Sequence, residues 1–338
     1  MKNYRSIVIE GGDQVGKADA SQNMIKILRK NIPITMISFP MYSMPIGASI
    51  RKMLKEGIED LVKEKNINPK DEFESRMAIY ALNRLEVMNS LLDEKYKNRL
   101  LIFDRSPYSN ALTIAYGIKG SDKIKESKVE RYNDIGLNSE KFFIDNLNLR
   151  NCILELYDSS DKWIGNRSNG DDQYEMSSVQ EFCGQLYSIY SKKVGKGWCK
   201  IPTKVDNQWR EREDISKDIL NFVYSRYPEI EKMKCDEPDV EILELTEAVR
   251  ALYVNTSVSK EHMLALRESL EKNDKTTLYE NSITVVEDTI QSMDFIIWSN
   301  EGIKNAFKEI LEKNIFCLDI IEKFLGDKYV KLLKKSLE

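Results

Sequence analysis

Apolar residues along this chain fall into two rhythms. Short unbroken runs at 7–9 and 100–103 read as strands buried on both faces, and 34–38, 152–156 and 198–205 read as further strands. Between them, apolar positions recur every three or four residues. Met24, Ile25, Ile27 and Leu28 mark a first helix, and Ile46, Ile50, Met53 and Leu54 a second. Met77, Tyr80, Ala81, Leu85 and Met88 form one stripe on a long helix over 71–92, and further helices are predicted over 109–116, 179–194 and 214–224. Five strands alternating with helices predict an α/β fold, a five-stranded parallel sheet with helices on both faces. The stretch 119–137 is polar and weakly patterned and reads as a surface insertion. Residues 163–173, rich in Gly, Asn, Ser and Asp, read as a flexible loop. The pattern changes near Tyr227-Pro228, and 235–239 reads as a boundary. Beyond it only helical spacing is found, over 240–254, 262–270, 282–298, 303–311 and 315–333. The expected division is therefore an α/β body over 1–228 and an all-α region over 236–338.

The first strand runs directly into Gly11, and Gly16-Lys17 follows at the spacing G-x-x-x-x-G-K. Strand, glycine loop and helix together predict a phosphate-binding loop and the P-loop NTPase fold. Glycines let backbone N–H groups converge on phosphate oxygens, the helix N-terminus adds partial positive charge, and Lys17 adds a full one. The cradle is expected from Gly11, Gly12, Gln14, Val15, Gly16, Lys17, Ala18 and Asp19. The motif wants Ser or Thr after the lysine, to put a hydroxyl on Mg²⁺. Ala18 stands there instead.

Composition narrows the classes. In 338 residues, 41% hydrophobic, no apolar run approaches the eighteen or so residues of a membrane span, so no membrane partner is expected. The first six residues lead straight into a strand, which leaves no room for a leader and points to the cytoplasm. Five scattered cysteines lack metal-ligand spacing and read as free thiols in a reducing compartment. The single histidine, His262, cannot build a histidine metal site, so any general acid or base is a carboxylate. Residues 231–338 hold 22 acidic and 15 basic side chains, a net −7, against +3 for the rest. A mildly basic body suits an anionic substrate, and the acidic tail argues against nucleic acid. Glu241, Glu244 and Glu247 share one predicted helix face, with Glu287 and Asp288 on another. A solvated face is the favoured reading, above an acidic Mg²⁺ site.

Ligands of an open parallel sheet bind beyond the carboxyl ends of its strands. Four features fall there: the glycine loop, Phe39-Pro40-Met41-Tyr42, Asp104-Arg105 and the 163–173 loop. In chain order Glu10-Gly11-Gly12-Asp13 to Lys17, Phe39-Pro40 with Ile46-Gly47, Ala81 to Arg84, Asp104 to Asn110, and Tyr174-Glu175 resemble the motifs of the thymidylate kinase family over about residues 4–226. The resemblance implies phosphorylation of dTMP by ATP with Mg²⁺. It gives Lys17 to the phosphoryl oxygens, Asp13 to the sugar 3′-hydroxyl, Arg105 to the acceptor phosphate and Asp104 to Mg²⁺. Arg84 and Asn110 would read the pyrimidine, with Tyr80 and Phe39 flanking it. Tyr42 and Tyr174 complete the substrate side, and Arg167 would meet charge on the transferring group.

Three departures concern phosphate or metal handling: Ala18 with Asp19 after it, Met41-Tyr42 where relatives often carry an arginine, and a lid with only Arg167 and nearby Lys162. An active kinase is the favoured reading. The alternatives are a weakened or inactive nucleotide-binding relative, whose tail is its working part, and a deoxynucleoside kinase, to which Asp104-Arg105-Ser106 is also close. The tail is expected to pack on the body or to mediate self-association, with a homodimer among the expected states.

Overall fold

The computed structural model describes residues 4–120, 126–159, 176–206, 208–244, 246–247, 264–265, 268 and 300–338. Arg167, Lys162, Tyr174, His262, Glu287 and Asp288 lie outside the described residues, as do most of the expected helices at 262–270 and 282–298. The chain forms two compact units, residues 1–39 with 92–241, and residues 40–91 with 242–338. The expected boundary at 228–236 falls inside the first of these.

The first unit is built on β1 (Arg5–Glu10), β2 (Ile34–Ser38), β3 (Leu100–Asp104), β4 (Ile153–Asp158) and β5 (Trp198–Val205). β1 lies between β3 and β4, and every pairing among β1 to β5 is parallel, as expected. Alternation along these strands fills both faces. Ile7, Ile9, Leu100, Ile102, Leu154, Leu156 and Ile201 pack against Met24 and Leu28 of α1 (Lys17–Leu28) and Ile219 and Val223 of α9 (Arg212–Arg226). On the other face Phe143 meets Phe39 and Phe103 edge-on, at centroid separations of 5.6 and 5.9 Å. Register sets the site, because Ile9 and Ser38 both pair with Asp104 and the carboxyl ends of β1, β2 and β3 come out level.

Among the described residues the sheet has seven strands, not the expected five. β6 (Gln208–Trp209) turns back antiparallel on the end of β5, with only two residues, too few to register as a period. β7 (Val240–Ile242) falls in a stretch expected to be helical. Its Val-Glu-Ile alternation instead adds to the free edge of β2, where Ile34 N–H donates to the Asp239 carbonyl at 2.9 Å. Charge fastens this edge. Arg99 Nε donates to the Thr35 hydroxyl at 2.6 Å, and Glu241 accepts from Thr35, Tyr96 and Lys95 at 3.1, 3.2 and 3.2 Å. Glu241 is therefore part of a packed network rather than a solvated face. The expected surface insertion at 119–137 is also partly core, since α6 (Val129–Ser139) buries Val129, Tyr132, Asn133 and Gly136.

The second unit is organised by α4 (Pro69–Leu91). Only one stripe of it was expected to be buried, yet Ser75, Arg76, Ala78, Ile79, Leu82 and Asn83 are buried as well. The reason is what surrounds it: α2 (Pro45–Glu56), α11 (Glu301–Lys313) and α12 (Phe316–Leu325) all pack against it. The tail expected as one helix over 315–333 breaks at Gly326, whose φ of +87° suits glycine, and resumes as α13 (Asp327–Leu337). Polar ties supplement the apolar contacts. Cys317 Sγ donates to the Ser75 carbonyl at 3.3 Å, Lys65 pairs with Asp319 at 3.3 Å, and Arg76 pairs with Glu72 at 3.1 Å under near-complete burial. Phe307→Ala should expose how much the tail contributes. Its ring is fully buried, and truncation is expected to cost about 3–5 kcal/mol in denaturant unfolding. A loss below about 1 kcal/mol would mean that the tail does not fold with α4.

Candidate active site

The site in the first unit starts from the loop Gly11–Gly16 between β1 and α1. Gly11 has φ +139°, and a Cβ there would sit 2.3 Å from the Leu156 carbonyl oxygen, so the loop approaches β4 too closely for any side chain. Gly16, at φ +83°, precedes the first turn of α1. Gln14 and Arg105 also take left-handed backbone angles, at φ 60° and 67°. Non-glycine residues held there cost of the order of 1 kcal/mol each, and both stand at the carboxyl edge of the sheet.

Glu10 closes β1 as a buried carboxyl ringed by hydroxyls. Ser106 donates to Oε1 at 2.6 Å, and Ser109 and Tyr187 donate to Oε2 at 2.7 and 2.9 Å. Burial pushes its pKa up, and the three hydroxyls and Arg105 oppose that. Lys17 folds its Nζ over the loop onto the carbonyls of Gly11, at 3.1 Å, and Gly12. Burial, then the Arg105 charge, lowers its pKa to about 8 against the pull of Asp13, Asp104 and Glu10. Arg105 Nη2 donates to Asp13 Oδ1, and Lys17 Nζ stands 3.9 Å from the same oxygen.

The Asp13 carboxylate is thus shared between Arg105 and Lys17. Arg105 Nη1, Asp104 Oδ1 and Asn110 Nδ2 are buried with no hydrogen-bond partner among the described residues. A buried donor or acceptor without a partner is costly, and three at one strand end point to a ligand-facing edge. Ala18 is exposed, and the nearby Ser21 hydroxyl is committed to the Lys17 carbonyl at 2.7 Å. Asp19 turns outward to pair with Arg212 at 3.0 Å. Phe39 is occupied by its edge-on contact with Phe143.

The second unit holds Tyr42, Tyr80 and Arg84, with Tyr80 and Arg84 buried on α4. One turn of α4 also fixes the segment before α2. Asn83 accepts from Met41 N–H at 2.9 Å and donates to the Met41 carbonyl at 3.2 Å. Glu86 accepts from Ile46 N–H at 2.9 Å and from Asn83 at 3.1 Å. Gly47 is required there, because a Cβ would fall 1.8 Å from the Met41 carbonyl oxygen. Glu244 accepts from Ser43 N–H at 3.1 Å, so a second acid of the predicted solvated face is engaged.

Motif reading missed three features. Gln180, on α8 (Ser177–Val194), binds Asp13 through both ends of its amide. Trp209 is 56% exposed and its ring lies 3.3 Å from where a Gly16 Cβ would be. With Asp19, Asn23, Arg210 and Arg212 it lines a cleft of about 340 Å³ beside the N-terminus of α1. Only the exposed tryptophan left a trace in the sequence, as a lone aromatic among charged residues.

Residues 9–164 match the family model described as thymidylate kinase. This segment is thymidylate kinase-like. It takes in the glycine loop, Asp104-Arg105 and the Asn83-Arg84 turn. A solved thymidylate kinase from Candida albicans is similar at 19% identity, over 67% of this chain and 93% of that chain, with a TM-score of 0.47. No curated protein matches the chain. Gln180 and Trp209 lie beyond the thymidylate kinase-like segment, and so does the helical tail.

Burial raises the Glu86 carboxyl to about 8 from an ordinary 4.5, with the N–H groups of Ile46, Asn83 and Gly47 opposing. Its folded form holds a proton more tightly than its unfolded form. The stability it lends is therefore complete below about pH 4.5 and lost as the pH rises toward about 8. Glu86→Gln should flatten the decline of unfolding free energy across that window. Parallel pH–stability curves for native and variant chains would refute this.

Proposed function

We propose that this chain transfers the γ-phosphoryl group of ATP to dTMP. The observation that carries the reading is the buried pair Asp104 Oδ1 and Arg105 Nη1, unpartnered among the described residues, beside a lysine-bearing glycine loop. Family-like motifs in the same order favour dTMP as the acceptor. Lys17 would hold phosphoryl oxygens of donor and acceptor, and Arg105 Nη1 the acceptor phosphate. Asp13 would accept from the sugar 3′-hydroxyl. Asn110 and Arg84 would read the base, with Tyr80, Phe39, Tyr42 and Tyr174 around it. Arg167 would meet charge developing on the transferring group. Phosphoryl transfer asks for positioning and charge more than for covalent chemistry, and these groups offer both.

Mg²⁺ fits in part. Asp104 Oδ1, a buried carboxylate oxygen with a vacant lone pair, suits a hydrated cation, whereas Ala18 offers no oxygen. When bound, the ion would neutralise phosphate charge. The cleft beside α1 supports a place for the donor base, because an exposed tryptophan next to a glycine loop offers a stacking face. A cytoplasmic location and a homodimer belong to the same reading. Ala18 favours one second reading, a relative that binds nucleotide without turnover.

The assay is ATP-dependent phosphorylation of dTMP, with thymidine as the control acceptor. The native chain should use dTMP and not thymidine, and Ala18→Thr should raise kcat. An undetectable native rate with a roughly thousandfold gain in Ala18→Thr would identify the binder instead. Failure of both chains to bind nucleotide in calorimetry would sink both readings. Trp209→Ala should raise the KM for ATP about tenfold and leave that for dTMP unchanged; equal effects on the two would remove the donor base from the cleft.

A further inference from the structure

Gln180 lies in the first turns of α8 and is only 4% exposed. Its amide closes a ring with one residue. Oε1 accepts from Asp13 N–H at 2.8 Å, and Nε2 donates to Asp13 Oδ2 at 2.7 Å. The amide orientation is dictated by these partners: a flipped amide would set oxygen against carboxylate and N–H against N–H. Gly12 is part of the arrangement, since a Cβ there would come within 3.0 Å of Gln180 Oε1. Both oxygens of Asp13 are then engaged, Oδ2 by Gln180 and Oδ1 by Arg105, with Lys17 Nζ at 3.9 Å.

We propose that Gln180 is a positioning residue that assigns the Asp13 carboxylate to Arg105 and keeps it out of a tight pair with the Lys17 ammonium, which is left to serve phosphate. This rests on the phosphoryl-transfer reading for its purpose, but not for its test. Without the Gln180 bond the carboxylate is less restrained about its side chain, and Lys17 stands 3.9 Å from its Oδ1. The charged groups facing Lys17 are Arg105, Asp13, Asp104 and Glu10, together with the carbonyls of Gly11 and Gly12. Of these carboxylates Asp13 is the one Gln180 touches. Releasing it would tighten the Asp13–Lys17 pair and favour the charged ammonium.

The test uses the full chain with ¹³C-labelled lysine, the Lys17 signal assigned by its loss in Lys17→Arg. The native ammonium should titrate near pH 8. In Gln180→Ala its midpoint should move up by about one pH unit. Gln180→Met keeps the length but can neither donate nor accept and adds no charge, and it should move the midpoint in the same direction. If Gln180→Ala does not fold, Gln180→Met alone decides. An unchanged midpoint in a folded variant overturns the proposal. In the kinase assay, kcat should fall about tenfold with the KM for ATP near native. A moved midpoint in a chain that transfers no phosphoryl group leaves the positioning role standing and removes the kinase reading alone.

Discussion

The carboxyl group of Glu10 fixes the geometry of the first unit. It stands at the end of β1, where the chain must leave the sheet, and it is fully enclosed. A buried carboxylate is tolerable only when it is hydrogen-bonded. Here the donors come from the turn after β3, through Ser106 and Ser109, and from α8, through Tyr187. Three separate pieces of chain are therefore held to one point. The glycine loop begins one residue after it, and Arg105 one residue before Ser106. The position of each is inherited from this network.

The parts legible in the sequence and the parts hidden from it differ in physical kind. β1 and β3 announced themselves because a strand covered on both faces is apolar through its middle, and the glycine loop because its backbone angles demand particular residues. β6 and β7 were invisible for the opposite reason. Two or three residues carry no period, and β7 owes its place to an edge of β2 and to ion pairs with Lys95 and Arg99 rather than to its own pattern. The acidic face read on residues 241–247 failed the same way. Spacing says which side chains share a face only if the helix exists, and Glu241 is in a strand. At the site, Lys17 and Arg105 stood out because cations suit phosphate, Asp13 came from the family resemblance, and the structure brings the Asp13 carboxylate to both. Gln180 was not, because a glutamine that binds backbone and carboxylate together has no fixed spacing to its partner.

The second unit shows the limit of amphipathic reasoning. A single apolar stripe on α4 predicted one covered face, yet Ser75, Arg76 and Asn83 lie on the others and are buried too. Each makes a local bond: the Ser75 carbonyl accepts from Cys317, Arg76 Nε pairs with Glu72, and Asn83 bonds Met41 and Glu86. Polar residues at intervals on a helix signal solvent only when nothing further packs there. The tail supplies what packs on α4, and it lies more than two hundred residues away in the chain.

Charge at the glycine loop sharpens the meaning of Ala18. Two cations, Lys17 and Arg105, share a small buried volume with the carboxyl groups of Asp13, Asp104 and Glu10. The local balance is not positive before any ligand arrives, and burial already weakens the Lys17 charge. Phosphates entering such a site meet the loop N–H groups and two cations whose fields are partly spent on neighbouring acids. In the proposed reading the remaining neutralisation comes with the nucleotide, as its own metal ion, rather than from the protein. A loop hydroxyl would help to hold that ion, and with Ala18 in its place the task falls to Asp104, whose Oδ1 has no competing partner among the described residues. Nucleotide binding and turnover then separate: the first draws on the whole loop, and the second hangs on one carboxylate oxygen.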